Sequence, residues 1–276
     1  MVTTGYKQLK IWDGQTFTEL VGLEAPTAYV WGVAWSPAES VFASASRDGK
    51  VRIWDSATYQ ELTSFPAGDA FCVGWSTDGK QLVSGPSSGE VAVWDPVTGE
   101  LVQKWQESSL IISVVWSPEG GMIASGQWGG QISLYDTKTG ETFALASGST
   151  STRNDVNGLA WSPDGFRLAS AHQDGNIRLW DMQTKQFLKV IHSHSGWVRG
   201  LDWSPDGSML ASGGDDGILR IWDSGSGTML TSSRIGSSVL WSIAWSPDGR
   251  QLAVGSGVYD SPEQEGKISI FRFLEG

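Results

Sequence analysis

A chain of 276 residues with a formal net charge of −11 and no cluster of Lys or Arg lacks the basic face that phosphate-backbone binding needs, so nucleic acid is not expected as a partner. A single cysteine, Cys72, excludes an intramolecular disulfide framework. No apolar N-terminal segment resembles a signal peptide or a membrane span, so a soluble cytoplasmic chain with no membrane partner is expected.

Sixteen tryptophans and thirty-five glycines, with 18% charged residues, suit many short strands joined by tight turns better than helices. The chain opens on Val2 to Gly5, which reads as the tail of a strand, and continues with strands over Gln8 to Trp12 and Phe17 to Gly22. The strand ending at Trp12-Asp13 begins a series that returns at Trp54-Asp55, Trp94-Asp95, Tyr135-Asp136, Trp180-Asp181, Trp222-Asp223 and, degenerately, Phe271-Arg272. A second signature, an apolar pair followed by Trp-Ser, occurs at Trp35, Trp75, Trp116, Trp161, Trp203 and Trp245, one time fewer.

The stretch from His194 to Asp223 shows the full unit. A first strand ends at Trp203, a turn breaks it, a second strand covers Met209 to Gly214, an Asp-Gly turn follows, and a third strand ends at Trp222. A fourth is expected around Thr228 to Ser232. Asp48, Asp174 and Asp216 precede Gly in second turns, and Asp78, Asp164, Asp206 and Asp248 precede Gly in first turns. That is hairpin chemistry, because both residue types tolerate positive φ. At the far end Trp241 to Ser246, Gln251 to Gly255 and Lys267 to Phe273 supply three strands. The longest irregular inserts, Ser147 to Asp155 and Gly257 to Gly266, read as loops, and with no linker or low-complexity tract residues 1–276 read as a single domain.

These units resemble WD repeats, whose four-stranded units are the blades of a β-propeller. The resemblance implies an all-β fold of four-stranded blades. The strands run three, then five sets of four, then three, so seven blades with an incomplete blade at the closure are expected. The alternative is six blades, with Phe17 to Gly22 closing against Lys267 to Phe273. An incomplete blade exposes strand edges, which makes strand donation from another chain, or self-association at the open blade, an expected mode of partnership. The resemblance also implies a buried structural network of His194, Ser212, Asp216 and Trp222. The His position holds Pro26, Pro66, Glu107, Thr152 and Gly236 in the other units, where apolar packing is expected to dominate.

Catalytic patterns are weak. Gly85-Pro86-Ser87-Ser88-Gly89 matches a nucleophile elbow, but that motif needs a strand-to-helix turn and this one lies within a hairpin. His172, His192 and His194 have no second His or Cys at metal-ligand spacing, so no metal and no cofactor are expected, and His172 reads as a partly exposed neighbour of a turn.

Aligned on the first-strand Trp, the position four residues earlier holds Trp31, Phe71, Ile112, Asn157, Arg199 and Trp241. Six residues earlier stand Tyr29, Asp69, Leu110, Asp155, Trp197 and Val239. The resemblance places both positions on the top face around a central channel, with Arg47, Trp128, Gln173 and Asp215 just before the second turns reaching the same face. Large side chains there either plug a narrow channel or bind a partner, and Tyr, Trp and Arg dominate binding hot spots. The expected function is a non-catalytic protein-interaction scaffold binding a peptide or partner domain through Tyr29, Trp31, Arg47, Asp69, Phe71, Trp128, Asp155, Asn157, Trp197, Arg199 and Trp241. The alternatives are a sensor or regulatory module cut from a larger multidomain protein, and an enzyme acting on small molecules in the channel.

Overall fold

Apolar alternation broken by Asp-Gly and Gly turns folds the chain into strands of four to seven residues, each antiparallel to the next. A computed structural model describes residues 1–5, 8–23, 28–145, 154–236, 238–258 and 266–273, which carry 26 strands and no helix. Pro26, Thr152, most of the two long inserts and Leu274 to Gly276 lie outside the described residues.

The first sheet has three strands, β1 (Val2–Gly5), β2 (Gln8–Trp12) and β3 (Glu19–Leu23). Five four-stranded sheets follow in chain order. They are β4 (Val30–Trp35), β5 (Val41–Ser46), β6 (Lys50–Asp55) and β7 (Glu61–Pro66), then β8 (Ala70–Trp75), β9 (Leu82–Pro86), β10 (Glu90–Trp94) and β11 (Leu101–Gln106). Next come β12 (Ile111–Trp116), β13 (Met122–Gln127), β14 (Ile132–Asp136) and β15 (Thr142–Leu145), then β16 (Val156–Trp161), β17 (Arg167–His172), β18 (Asn176–Asp181) and β19 (Gln186–His192). The fifth is β20 (Val198–Trp203), β21 (Met209–Gly214), β22 (Ile218–Asp223) and β23 (Met229–Arg234). The last sheet again has three strands, β24 (Val239–Trp245), β25 (Gln251–Gly257) and β26 (Lys267–Arg272).

The fold is all-β and seven-bladed. The six-bladed alternative fails because β3 pairs with β2 in a sheet of its own, Leu9 opposite Leu23 and Ile11 opposite Val21. Contacts divide the chain into two units, residues 1–125 with 135–141 and residues 126–134 with 142–276.

In the first unit the indole N–H of Trp75 donates to the Ala34 carbonyl of the preceding sheet at 3.0 Å. Trp35 is 41% exposed instead, because the β1–β3 sheet has no strand in the matching place: β1 lies against β4 as β5 lies against β8. Between β8–β11 and β12–β15, Val83, Val91, Val93, Ile111, Val114 and Trp116 form one apolar cluster. In the second unit Trp203 donates to the Ala160 carbonyl at 3.1 Å, and Ala169, Leu179, Val198, Leu201 and Leu210 pack around it.

A polar contact recurs inside the blades. The third-strand indole donates to a second-strand hydroxyl from Trp12 to Thr3 at 3.0 Å, Trp54 to Ser44 and Trp94 to Ser84 at 2.9 Å, Trp180 to Ser170 at 3.0 Å and Trp222 to Ser212 at 2.8 Å. Only the last of these carries the full network. His194 Nε2 lies 2.9 Å from Ser212 Oγ, and His194 Nδ1 lies 2.9 Å from Asp216 Oδ1 and 2.6 Å from Arg220 Nη1.

Outside that blade the apolar clusters are accompanied by a polar contact that the expectation of dominant apolar packing did not include. A buried indole N–H without an acceptor costs ~1–3 kcal/mol, so the hydroxyl persists where the His does not. In β12–β15 the Tyr135 hydroxyl sits 2.9 Å from Ser125 and donates to Glu107, which stands at the His position, at 2.6 Å. In β16–β19 the imidazole comes from inside the second strand. His172 is fully buried rather than partly exposed, with Nε2 2.8 Å from Ser170 Oγ and Nδ1 3.4 Å from the Asn154 carbonyl, because residues 170 and 172 share one face of β17.

Two expectations follow. His194→Ala leaves Ser212 and Asp216 short of a buried partner, and denaturant unfolding should show a loss of ~1–3 kcal/mol. Burial first, and then the Arg178 charge, push the His172 imidazole down to about 4, so the folded state keeps it neutral while the unfolded chain protonates it below its ordinary 6.5. The unfolded state therefore binds more protons across that window, and stability falls as pH drops from about 6.5 towards 4. Asp202, pushed up to about 6 by burial against hydrogen bonds from the Trp245 and Trp203 N–H groups, acts with the opposite sign. Unfolding free energies at pH 7.5 and 5 should show the parent chain losing about 2 kcal/mol more than His172→Gln on acidification.

Candidate functional site

Five of the first strands, β4, β8, β16, β20 and β24, are built with one residue too many. Their register against the second strand slips between Val30 and Gly32, Ala70 and Cys72, Val156 and Gly158, Val198 and Gly200, and Leu240 and Ser242. The extra residues are Trp31, Phe71, Asn157, Arg199 and Trp241. Each belongs to the set singled out at four residues before the Trp. A β-bulge turns its residue out of the alternation that would otherwise bury it, which frees these positions from core requirements.

In the first unit the bulge residues Trp31 and Phe71 stack with ring centroids 5.6 Å apart, and Tyr29 stacks on Trp31 at 5.2 Å. Trp31 stays 44% exposed. The strand behind holds this row: the Tyr29 carbonyl accepts from the Arg47 N–H at 2.9 Å and from the buried Ser46 hydroxyl at 3.1 Å. The Asp69 carbonyl accepts from the Ser87 N–H at 2.9 Å, and its Oδ1 is buried with no hydrogen-bond partner among the described residues. Leu110 and Ile112 of the neighbouring repeat carry no polar or aromatic group.

In the second unit Arg199 is the centre. Its guanidinium lies 4.2 Å from the ring of Trp197 and 4.8 Å from that of Trp241, and its Nε donates to Asp215 Oδ1 at 2.8 Å. The carboxylate fixes the plane of the guanidinium, and two indole faces supply cation–π attraction to it. Trp241 remains 39% exposed. Asn157 donates its side-chain N–H to the Val198 carbonyl at 2.9 Å, tying its bulge to the next first strand.

Trp128 stands on the β13–β14 turn and is 50% exposed. Asp155 is 2% exposed and accepts the Gly129 N–H at 2.8 Å, so it holds the turn that presents Trp128. Gly129 and Gly130 have φ of 92° and 93°, and a Cβ on Gly130 would come within 2.7 Å of the Asn154 carbonyl, so that residue must be glycine.

Asp215 as the partner of Arg199, and the bulges themselves, are what reading the residues alone missed. A signal was present: the inward-facing apolar positions Val30 and Val33, Ala70 and Val73, Val156 and Leu159, Val198 and Leu201, and Leu240 and Ile243 are spaced by three where a regular strand spaces them by two. Elsewhere Cys72 is packed beside Gly85, and burial pushes its thiol up to about 12. Among the described residues no group of three or more His, Cys, Asp and Glu side chains is placed to hold a metal, and no helix is long and apolar enough to cross a membrane.

Seven antiparallel sheets, an indole-to-hydroxyl contact repeated inside them, and Trp-Asp ends on their third strands define a WD-repeat β-propeller. The chain belongs to the IFT122 first beta-propeller family, whose model matches residues 1–257. It is similar to WD repeat-containing protein VIP3 of Arabidopsis thaliana, 28% identical over 112 residues that cover 35% of each chain. It is also similar to periodic tryptophan protein 2 of the same plant, 35% identical over 100 residues, 34% of this chain and 11% of that one. A third relative is the probable cytosolic iron-sulfur protein assembly protein Ciao1 of Culex quinquefasciatus, 34% identical over 77 residues, 26% and 23% of the two chains. The matched segments thus span about a third or less of these curated relatives.

Arg199→Ala removes the cation from between two indoles and leaves Asp215 without its partner. Thermal unfolding should show a loss of ~1–2 kcal/mol, small because the pair is partly solvated.

Proposed function

We propose that the chain is a non-catalytic interaction scaffold, residues 1–276 acting as one propeller domain in the cytoplasm. It binds a peptide or partner domain through the side chains carried by its first-strand bulges, those beside them, and Trp128 on the β13–β14 turn. The observation that supports this reading is the combination of position and exposure. Trp31, Trp128 and Trp241 keep 39–50% of their surface in solvent although blade packing asks for none of them there. Exposed aromatic side chains held by stacking lose little entropy when a partner covers them, and Trp, Tyr and Arg carry most of the energy in protein interfaces. Membership among WD-repeat propellers supports protein interaction as the general role. A second reading, a module within a longer protein, draws support from the family itself, described as a first propeller.

The test is affinity capture from a lysate of the source cells with the parent chain and with Trp31→Ala, Trp128→Ala and Trp241→Ala. Bound proteins should be lost from at least one variant, with melting temperatures within a few degrees of the parent, since exposed side chains contribute little to stability. Identical captures from all four chains would defeat the proposal.

A further inference from the structure

The blade β8–β11 keeps the Trp94 to Ser84 contact but has lost everything that surrounds it elsewhere. Counted from the first-strand Trp, the place of His194 is Pro66, the place of Asp216 is Ser88 and the place of Arg220 is Ala92. In three other blades that last position is an arginine clamped to the turn carboxylate: Arg52 to Asp48 at 2.7 Å, Arg178 to Asp174 at 2.6 Å and Arg220 to Asp216 at 2.8 Å. Removing a guanidinium, a carboxylate and an imidazole together leaves a cavity of about 230 Å³, lined by Pro66, Ser88, Glu90, Ala92 and Trp94 among others. Its floor, Pro86 and Ala92, is buried, while Pro66, Gly68 and Ser88 at its rim are exposed, so it opens to solvent.

We propose that this cavity binds the arginine side chain of a partner protein. The shape is that of a site from which the same molecule removed its own arginine. Glu90 lines it and supplies a carboxylate in the blade that lacks the turn Asp, and Trp94, whose ring packs 5.0 Å from that of Phe65, lines it as an aromatic neighbour for a cation. In the salt bridge that Glu90 makes to Lys104 at 2.9 Å the lysine is 58% exposed and the carboxylate 30%, so an incoming guanidinium competes with a partly solvated pair rather than a buried one. The volume far exceeds the ~10–15 Å³ that one water requires, and a guanidinium, unlike a lysine ammonium, can pair bidentately with a carboxylate and stack on an aromatic ring. A chain of net charge −11 favours the approach of a cation.

The experiment is an NMR titration of the full chain with a capped Gly-Arg-Gly peptide and its citrulline analogue, following the backbone amides of Gly68, Ser88, Glu90 and Ala92. The arginine peptide should shift these amides saturably and the neutral citrulline peptide should not. The double variant Ser88→Asp/Ala92→Arg refills the cavity with the pair found in the other blades, and should bind the peptide at least about tenfold more weakly while melting no lower than the parent. If that variant does not fold, Glu90→Gln serves instead, with a weakening of about threefold or more. Absence of saturable shifts at these amides, equal shifts with citrulline, or unchanged binding by the folded variant would each overturn the assignment.

Discussion

The third-strand indole N–H inside a blade finds its acceptor in a hydroxyl one strand away. The cost of leaving it unpaired, ~1–3 kcal/mol, is a sizeable part of any domain's net stability. The contact therefore constrains more than itself: a pairing slip of one residue would turn either the Trp or the Ser to the opposite face of the sheet. With Leu210 opposite Trp222 and Ser212 opposite Arg220, the second and third strands have one register in which Trp222 reaches Ser212. The first strand then pairs onto a second strand already fixed in place.

What surrounds that contact is variable, and the variation has physical limits. A His from the preceding loop, a His from within the second strand, or a Glu bonded to a Tyr hydroxyl each completes a polar cluster. Pro66, Ser88 and Ala92 complete nothing, and the result is open space beside an intact Trp94 to Ser84 pair. Blades tolerate such losses because neighbouring sheets share apolar clusters, and repeat architectures distribute stability over many similar interfaces.

The bulges connect this framework to function. By inserting one residue into five of the first strands, the fold takes a side chain out of the core pattern at the same place in those repeats without disturbing the residues on either side. Core packing then places no demand on those side chains. Trp31 and Phe71 stack with Tyr29 in one unit, and Arg199 bridges Trp197 and Trp241 in the other.

Blade number and strand order were legible from residues alone. Strand boundaries follow from period-two alternation and from Asp-Gly turns, which are local physics, and the returning Trp-Asp ends count the units. The set His194, Ser212, Asp216 and Trp222 was legible through the resemblance to WD repeats, which implies those four positions, and hydrogen bonds join them in the structure. Three things were not. His172 read as exposed because nothing near it in sequence shows that Ser170 and Asn154 close over it. The clamp of Arg199 by Asp215 joins residues 16 apart, through a bulge whose only trace is a spacing of three between buried positions. The cavity beside Trp94 gathers residues from Pro66 to Trp94, each an ordinary small or polar side chain on its own. Local propensity and spacing decide which strands form and in what order. Side-chain partners across strands are decided by packing in three dimensions, which brings together residues that no short-range pattern relates.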